Sequence, residues 1–309
     1  MIRVAPDERP TETRRLFVQP VNPHTRPAQN GTPLRSLRNP GGVAHNRIVT
    51  KNVTVMLATY NEAGAIAEAI RAIGEAAREL FTEEISVRLF LVDDESPDGT
   101  AAIATTAANE AGMQVKISSG PRAGLGLAYL RGMAAIIADG WTDTIVTLDA
   151  DGQHDPRVIP TLVRERERRN LDLLIGSRWV EGGLVLGLSR TRKSLSRAGN
   201  RLFAVVTGTT DVHDATTSFR VFTKDFASSL DVSALEVSGY SFFSSFVGVA
   251  SASGYRIGEY PITFAPRTSG ASKLAAGDLV QFLRNLPRLG SVTRAIRRRQ
   301  RAASTPDER

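Results

Sequence analysis

Hydrophobic and polar positions divide the chain into three parts. Residues 1–47 are punctuated by proline and arginine and show no apolar period, which predicts a flexible leader. From residue 53 onward, short apolar runs alternate with amphipathic stretches. Residues 53–58, 87–92 and 144–148 are runs rich in β-formers, as strands covered on both faces should be, and 115–117 and 173–175 are shorter examples. Between them, residues 65–80 set Ile66, Ala69, Ile70 and Ile73 on one helical face, and 100–110 and 125–138 also read as helices. Asp155 followed by Pro156 is an N-cap and a first-turn proline, so another helix begins there. Strands alternating with helices through right-handed crossovers predict a largely parallel α/β sheet.

Beyond Ser189 the pattern changes. Residues 190–207 read as a basic helix, 219–222 as a strand, 240–252 as an apolar helix and 255–264 as extended chain. From 277 to 301 apolar residues including Phe282, Leu286, Leu289 and Ile296 recur at helical spacing, with Arg284, Arg288, Arg294 and Arg297 between them. Pro287 and Gly290 predict a break there into two short helices. A basic amphipathic segment of this kind suits a membrane interface; packing against the body of the protein is the competing reading.

Charge sharpens that choice. The net charge of +7 is uneven: residues 1–47 hold eight arginines against three acids (+5), and 284–309 hold eight against two (+6), leaving −4 for 48–283. A nucleic-acid binder would carry its basic patch on the folded face, so nucleic acid is not an expected partner. Basic ends around a mildly acidic body suit an anionic membrane surface, although solvated tails have the same composition. No stretch approaches the ~18–20 apolar residues that span a bilayer. Residues 1–43 contain no apolar run of the signal-peptide kind. The expected location is therefore cytoplasmic, peripheral on the inner face of the cell membrane. With no cysteine, disulfides, thiolate metal sites and cysteine nucleophiles are excluded.

The chemistry-bearing residues gather where strands end, the edge at which parallel sheets collect ligands. Asp149 and Asp151, one residue apart after a buried run, can turn their carboxylates to one side, and Gln153 adds a neutral oxygen. An all-oxygen set of this kind suits Mg²⁺ or Mn²⁺, though two acids so spaced are also common in plain turns. Thr59, Tyr60, Asn61 and Glu62 follow the first strand, Asp93 and Asp94 follow the second, and Arg122 with Gly124 and Gly126 opens a helix whose amides could meet an anion.

Taken in order, the segments TYNE (59–62), VDDESPDGT (92–100), GLGLAY (124–129), LDADGQ (148–153), GSRW with a following glycine pair (176–183) and FAPRTSGASKL (264–274) resemble family 2 glycosyltransferases of the GT-A fold. More narrowly they are similar to dolichol- and polyprenyl-phosphate mannose synthases, over residues 53–274. The resemblance implies a Rossmann-like, mixed but mainly parallel sheet flanked by helices, with a glycosyltransferase domain over 48–275 and a basic amphipathic segment over 276–309. It implies a nucleotide-sugar donor, typically GDP-mannose, held by Ala58, Tyr60, Glu62 and Asp93, with Asp149, Asp151 and Gln153 on the metal and diphosphate. A polyprenyl-phosphate acceptor would be cradled by Arg178, Arg192 and Ser196, with Arg220, Arg267 and Lys273 closing over phosphates. Attack with inversion on the anomeric carbon would need no strong base, since a phosphate acceptor (second pKa near ~6) is already anionic. An alcohol acceptor would need one, with Asp214 the residue to test. A soluble acceptor, or a UDP-sugar donor, is the alternative within the same fold. One departure stands out: the family's usual D-x-T-S-G-F-R reads DATTSFR at 214–220, so Ser218 replaces glycine.

Overall fold

The computed structural model describes residues 50–237, 239, 241–267 and 276–304. The leader expected over 1–47 and Lys273 lie outside the described residues. The strands are β1 (Asn52–Thr59), β2 (Ser86–Asp93), β3 (Gln114–Ser119), β4 (Thr144–Thr147), β5 (Leu173–Ser177), β6 (Leu184–Val185), β7 (Arg220–Thr223), β8 (Ile257–Pro261) and β9 (Thr263–Phe264). The helices are α1 (Ile66–Phe81), α2 (Thr100–Glu110), α3 (Leu125–Asp139), α4 (Ile159–Arg168), α5 (Arg190–Thr207), α6 (Lys224–Ser229), α7 (Ser241–Ala252) and α8 (Ala276–Ser304).

Seven strands form one sheet in the order β3-β2-β1-β4-β7-β5-β8, and β6 pairs with β9 in a small second ladder. All neighbours in the large sheet run parallel except β7, which is antiparallel to both β4 and β5. The sheet is therefore mixed but mainly parallel. The chain order reverses on either side of β1, which puts a switch-point crevice between β1 and β4, and β7 brings its starting end to the same rim.

Alternation along the strands feeds two apolar layers. Val53, Val55 and Leu57 of β1 face Ile66, Ile70 and Ile73 of α1, while Met56 faces the opposite layer with Met133 of α3. That second layer is aromatic: Phe203 of α5, Phe226 of α6 and Phe242, Phe243 and Phe246 of α7 all lie under 3% exposed.

The C-terminal segment differs from expectation in one way. It is one helix, α8, running through Pro287 rather than breaking there. An interior proline costs a helix roughly 3 kcal/mol. Burial of Phe282, Leu286 and Leu289 against α5 and α7, at about 1.5–3 kcal/mol each, outweighs that cost, and the proline ring sits on the exposed side. α8 shares the aromatic core, and Arg297 donates to the carbonyls of Thr207 and Gly208 at the end of α5. Gly290 serves close approach rather than breakage: a Cβ there would lie 2.7 Å from Val206 Cγ1 and 2.8 Å from Val206 O. Gly→Ala inside a helix ordinarily gains up to ~1 kcal/mol. Here overpacking reverses the sign, and Gly290→Ala is expected to lose about 1 kcal/mol in urea unfolding. A higher midpoint would show that the helices have room to spare.

Candidate active site

The rim of the sheet is built by loops tied to one another. After β1, Asn61 N donates to Ser96 Oγ (3.1 Å), Glu62 N to Thr100 Oγ1 (3.0 Å) and Ala63 N to Asp98 Oδ2 (3.0 Å), so the loop is stitched to the turn after β2. Asn61 and Glu95 adopt positive φ, 55° and 51°, a strained state for glutamate that such stitching maintains. Asp93 is buried and is the organiser of this turn. It accepts from Thr59 Oγ1 (2.9 Å), Ser96 Oγ (2.6 Å) and Ser96 N (2.9 Å). Asp94 pairs with Arg131 of α3 at 2.9 Å, so it is not a second pole of the Asp149–Asp151 pair. Ala58 and Glu62 are half-buried at the edge, and the Tyr60 ring carries the Arg122 guanidinium 4.1 Å from its centroid.

Asp149 and Asp151 leave β4 on a turn that uses Gly152 at φ 79°. Asp151 is buried and accepts from Gln153 N at 3.0 Å. Burial, and then the charge of Asp149, raise its carboxyl above the ordinary range. Asp149 is raised too, first by desolvation and against the pull of Ser218 and Arg267. Its side chain keeps 35% exposure, so that desolvation comes from the walls of the cleft rather than from occlusion. Two mutually repelling carboxylates have the chemistry to attract a cation, and Arg267 supplies one: its Nη2 is 3.0 Å from Asp151 Oδ2, and its Nε donates to Gln153 Oε1 at 3.1 Å. Among the described residues no three His, Cys, Asp or Glu side chains cluster as a metal site. Two carboxylates and an amide are an all-oxygen set of the kind that suits Mg²⁺ or Mn²⁺ when further oxygens complete the shell.

His154 is a residue the sequence reading missed. It is 2% exposed, set between Phe219 and Phe264, and its Nδ1 accepts the Asp149 N–H at 3.3 Å. Burial pushes its pKa down to about 4, so it stays neutral and fixes the loop without adding charge. Ser218, at the position where glycine is usual, lies two residues before β7, and its carbonyl accepts from Thr147 Oγ1 at 2.6 Å. It is absent from the positive-φ residues, so this backbone does not demand glycine.

Arg178 follows β5 and is locked in place. Its Nε and Nη2 donate to the two oxygens of Asp214 at 2.7 and 2.8 Å, its backbone N–H to Oδ2 at 3.0 Å, and Nη2 also to Thr216 Oγ1. Burial alone would push the Asp214 carboxyl up, but the charge and hydrogen bonds of Arg178 hold it below its usual value. Fully buried and engaged by four donors, Asp214 holds Arg178 in place. Glu259 of β8 supports it in turn, accepting Asp214 N at 2.9 Å. The Trp179 ring lies near both Arg178 and Arg197 of α5, whose guanidinium carbons are 5.6 and 4.5 Å from its centroid. Arg192 (exposed) and Ser196 (half-buried) stand four residues apart on the first turns of α5.

Arg220 departs from its expected role over phosphates. It is 2% exposed, donates to the carbonyls of Thr217, Ala215 and Phe243, and lies against the rings of Phe243 and Phe246. It braces the 214–220 segment from beneath.

With this geometry in hand, the relatives are informative. The sequence model described as "Glycosyl transferase family 2" matches residues 54–230. The chain is 33% identical over 242 residues to an undecaprenyl-phosphate mannosyltransferase of Micrococcus luteus, covering 78% of this chain and 95% of that protein. It is 32% identical to a polyprenol monophosphomannose synthase of Mycolicibacterium smegmatis, covering 74% and 83%. In fold it is similar to a glucosyl-3-phosphoglycerate synthase of Mycobacterium tuberculosis, solved with Mn²⁺, UDP and phosphoglyceric acid (TM-score 0.52, 19% identity, 84% and 80% covered). It is also similar to a mannosyltransferase of Pyrobaculum calidifontis, solved with GDP-mannose and Mn²⁺ (TM-score 0.51, 16% identity, 86% and 78% covered). A mainly parallel sheet with its acidic loop at the switch point, a family model over more than half the chain, and relatives a third identical across most of it lead to one statement: this protein belongs to glycosyl transferase family 2.

Proposed function

We propose that the protein transfers mannose from GDP-mannose to a polyprenyl phosphate with inversion. The observation that carries the reading is the pair Asp149 and Asp151 with Gln153 at the switch-point rim, with an Arg178 fixed by Asp214 near enough for its charge to act on Asp149. The relatives named for undecaprenyl-phosphate and polyprenol-phosphate mannosylation support the sugar and the lipid. Ala58, Tyr60, Glu62 and Asp93 would frame the nucleoside. When bound, a divalent cation on Asp149, Asp151 and Gln153, Mg²⁺ or Mn²⁺, supplies neutralising charge to the departing diphosphate.

The remaining work falls to the protein's own groups. Arg178, with Arg192 and Ser196, holds the acceptor phosphate and aims one oxygen at the anomeric carbon; a planar guanidinium suits two phosphate oxygens at once. Arg190, Arg192 and Lys193 crowd the positive end of the α5 dipole, an unfavourable placement that an anion would relieve. No base is needed, in keeping with the engagement of Asp214. Arg267 follows β9 at the cleft and would reach donor phosphates, as would Lys273.

The acceptor's chain requires a surface. On α5, Leu195, Leu202 and Val205 are 50%, 42% and 75% exposed and lie among Arg197 and Arg201, and α8 exposes Val280 and Leu283 beside Arg284. An apolar and basic stripe suits the headgroup boundary of an anionic membrane. No helix among the described residues is long and apolar enough to cross one.

The test is transfer from radiolabelled GDP-mannose, UDP-glucose or UDP-N-acetylglucosamine to polyprenyl phosphate, with Mn²⁺ or with chelator. Label is expected in the organic phase only with GDP-mannose and metal. Label that stays aqueous with every donor would overturn the lipid assignment.

A further inference from the structure

Arg267 is paired with the acidic loop. Its guanidinium spans Asp151 Oδ2 (3.0 Å) and Gln153 Oε1 (3.1 Å), two of the three oxygens assigned to the cation. The span is fixed rather than incidental. Ala265 N donates to Gln153 O at 2.9 Å, Gln153 Nε2 donates to Ala265 O at 3.3 Å, and His154 bridges to Phe264, so residues 264–267 are zipped onto the acidic loop. Arg267 is 17% exposed and Asp151 5%, which places the pair where water screens it weakly. A guanidinium and a divalent ion cannot both sit at hydrogen-bonding distance from the same two oxygens. Charge repulsion forbids it, and the facing lone pairs are shared.

We infer that Arg267 is an exchangeable resident cation of this site: it holds Asp151 and Gln153 in register until a divalent ion displaces it. The displaced guanidinium then takes the diphosphate of the donor. This rests on the reading of Asp149 and Asp151 as the metal's ligands. The consequence is that metal alone binds against Arg267. A nucleoside diphosphate gives the freed guanidinium a new partner, so each ligand strengthens the other, by the same factor in both directions. The device suppresses empty binding of metal without donor.

The experiment is Mn²⁺ binding to the full chain, read by electron paramagnetic resonance of free Mn²⁺, with and without GDP. It compares the wild-type protein with Arg267→Gln, Arg267→Lys and Asp151→Asn. Lysine keeps the charge but cannot span both oxygens. Without GDP, the Gln and Lys variants are both expected to bind Mn²⁺ about tenfold more tightly than wild type. With GDP, wild type should recover most of that difference. In parallel, the Arg267 Nε–H resonance should shift when Mg²⁺ and GDP are added together. Equal affinity in wild type and Arg267→Gln, with Asp151→Asn failing to bind, would overturn the exchange and leave the metal site standing. Tightening in the Gln variant alone would reduce the effect to simple repulsion and also overturn it. Mn²⁺ binding undiminished in Asp151→Asn would overturn the site itself and the exchange with it.

Discussion

Replacing Asp151 with asparagine is expected to lower transfer about a thousandfold while leaving the protein folded. The side chains are isosteric. Asparagine's carbonyl can still accept the Gln153 N–H that the carboxylate accepts now at 3.0 Å, so the turn after β4 keeps its shape. What is lost is one of two negative charges that grip the cation, and with it several kcal/mol of stabilisation of the leaving diphosphate, at 1.36 kcal/mol per factor of ten. Stability should move the other way. Burial and the charge of Asp149 raise the Asp151 carboxyl above its usual value, so keeping it ionised costs the folded protein some stability. The neutral amide removes that repulsion, offset by the loss of the Arg267 pair. The unfolding midpoint is expected to be unchanged or slightly raised. Transfer within tenfold of wild type would end the assignment of Asp151 to the metal, whereas a collapsed midpoint would assign it to the fold.

How much of this is legible in the chain depends on the range of the signal. β1, β2 and β4 are continuous apolar runs because helices cover both of their faces, and each is visible in the sequence to within a residue or two at each end. The carboxyl-end loops at 59–62, 93–94 and 149–153 follow from those strands, which is why most of the site is readable from local pattern and motif alone. Direction is not. Residues 219–222 look like any short buried strand, and nothing local says that β7 runs antiparallel between β4 and β5. The two-residue ladder of β6 and β9 is too short for a period of two to register. In α8, Pro287 is a strong local breaker overruled by partners on α5 and α7 far away in sequence.

The site residues divide along the same line. Arg178 and Asp214 each carry a motif, but their pairing across 36 positions is visible only in the fold. Arg267 and Gln153 are 114 residues apart. Arg220 sits in a motif and looks like a phosphate ligand, yet register with Thr147 turns it into the aromatic layer. His154 had no signal of its own beyond lying three residues after Asp151, since a neutral buried histidine is indistinguishable in sequence from a surface one.

The Arg178–Asp214 pair allows stability and catalysis to be separated. Arg178→Ala strands a fully buried carboxylate that now receives two side-chain hydrogen bonds from the guanidinium, and breaking such a pair costs about 3–5 kcal/mol. The sign with pH follows from the direction of the shift. Arg178 holds the folded Asp214 below its usual value, so the pair's contribution is present above the unfolded carboxylate range and fades as pH falls through the folded pKa. Arg178→Ala should therefore be most damaging near neutrality and least at acid pH. The double variant Arg178→Ala with Asp214→Ala removes both charges and should regain about 2 kcal/mol over the single arginine variant, a coupling within the range for contacting residues. Activity should not follow. If Arg178 orients the acceptor phosphate, the double variant stays as inactive as the single one, with the loss in the apparent affinity for polyprenyl phosphate and in turnover while GDP-mannose binding is retained. Urea unfolding and acceptor titration on the wild type, the Arg178→Ala and Asp214→Ala single variants and the double variant decide it, and a double variant that recovered turnover together with stability would make the arginine a structural brace and remove it from the acceptor site.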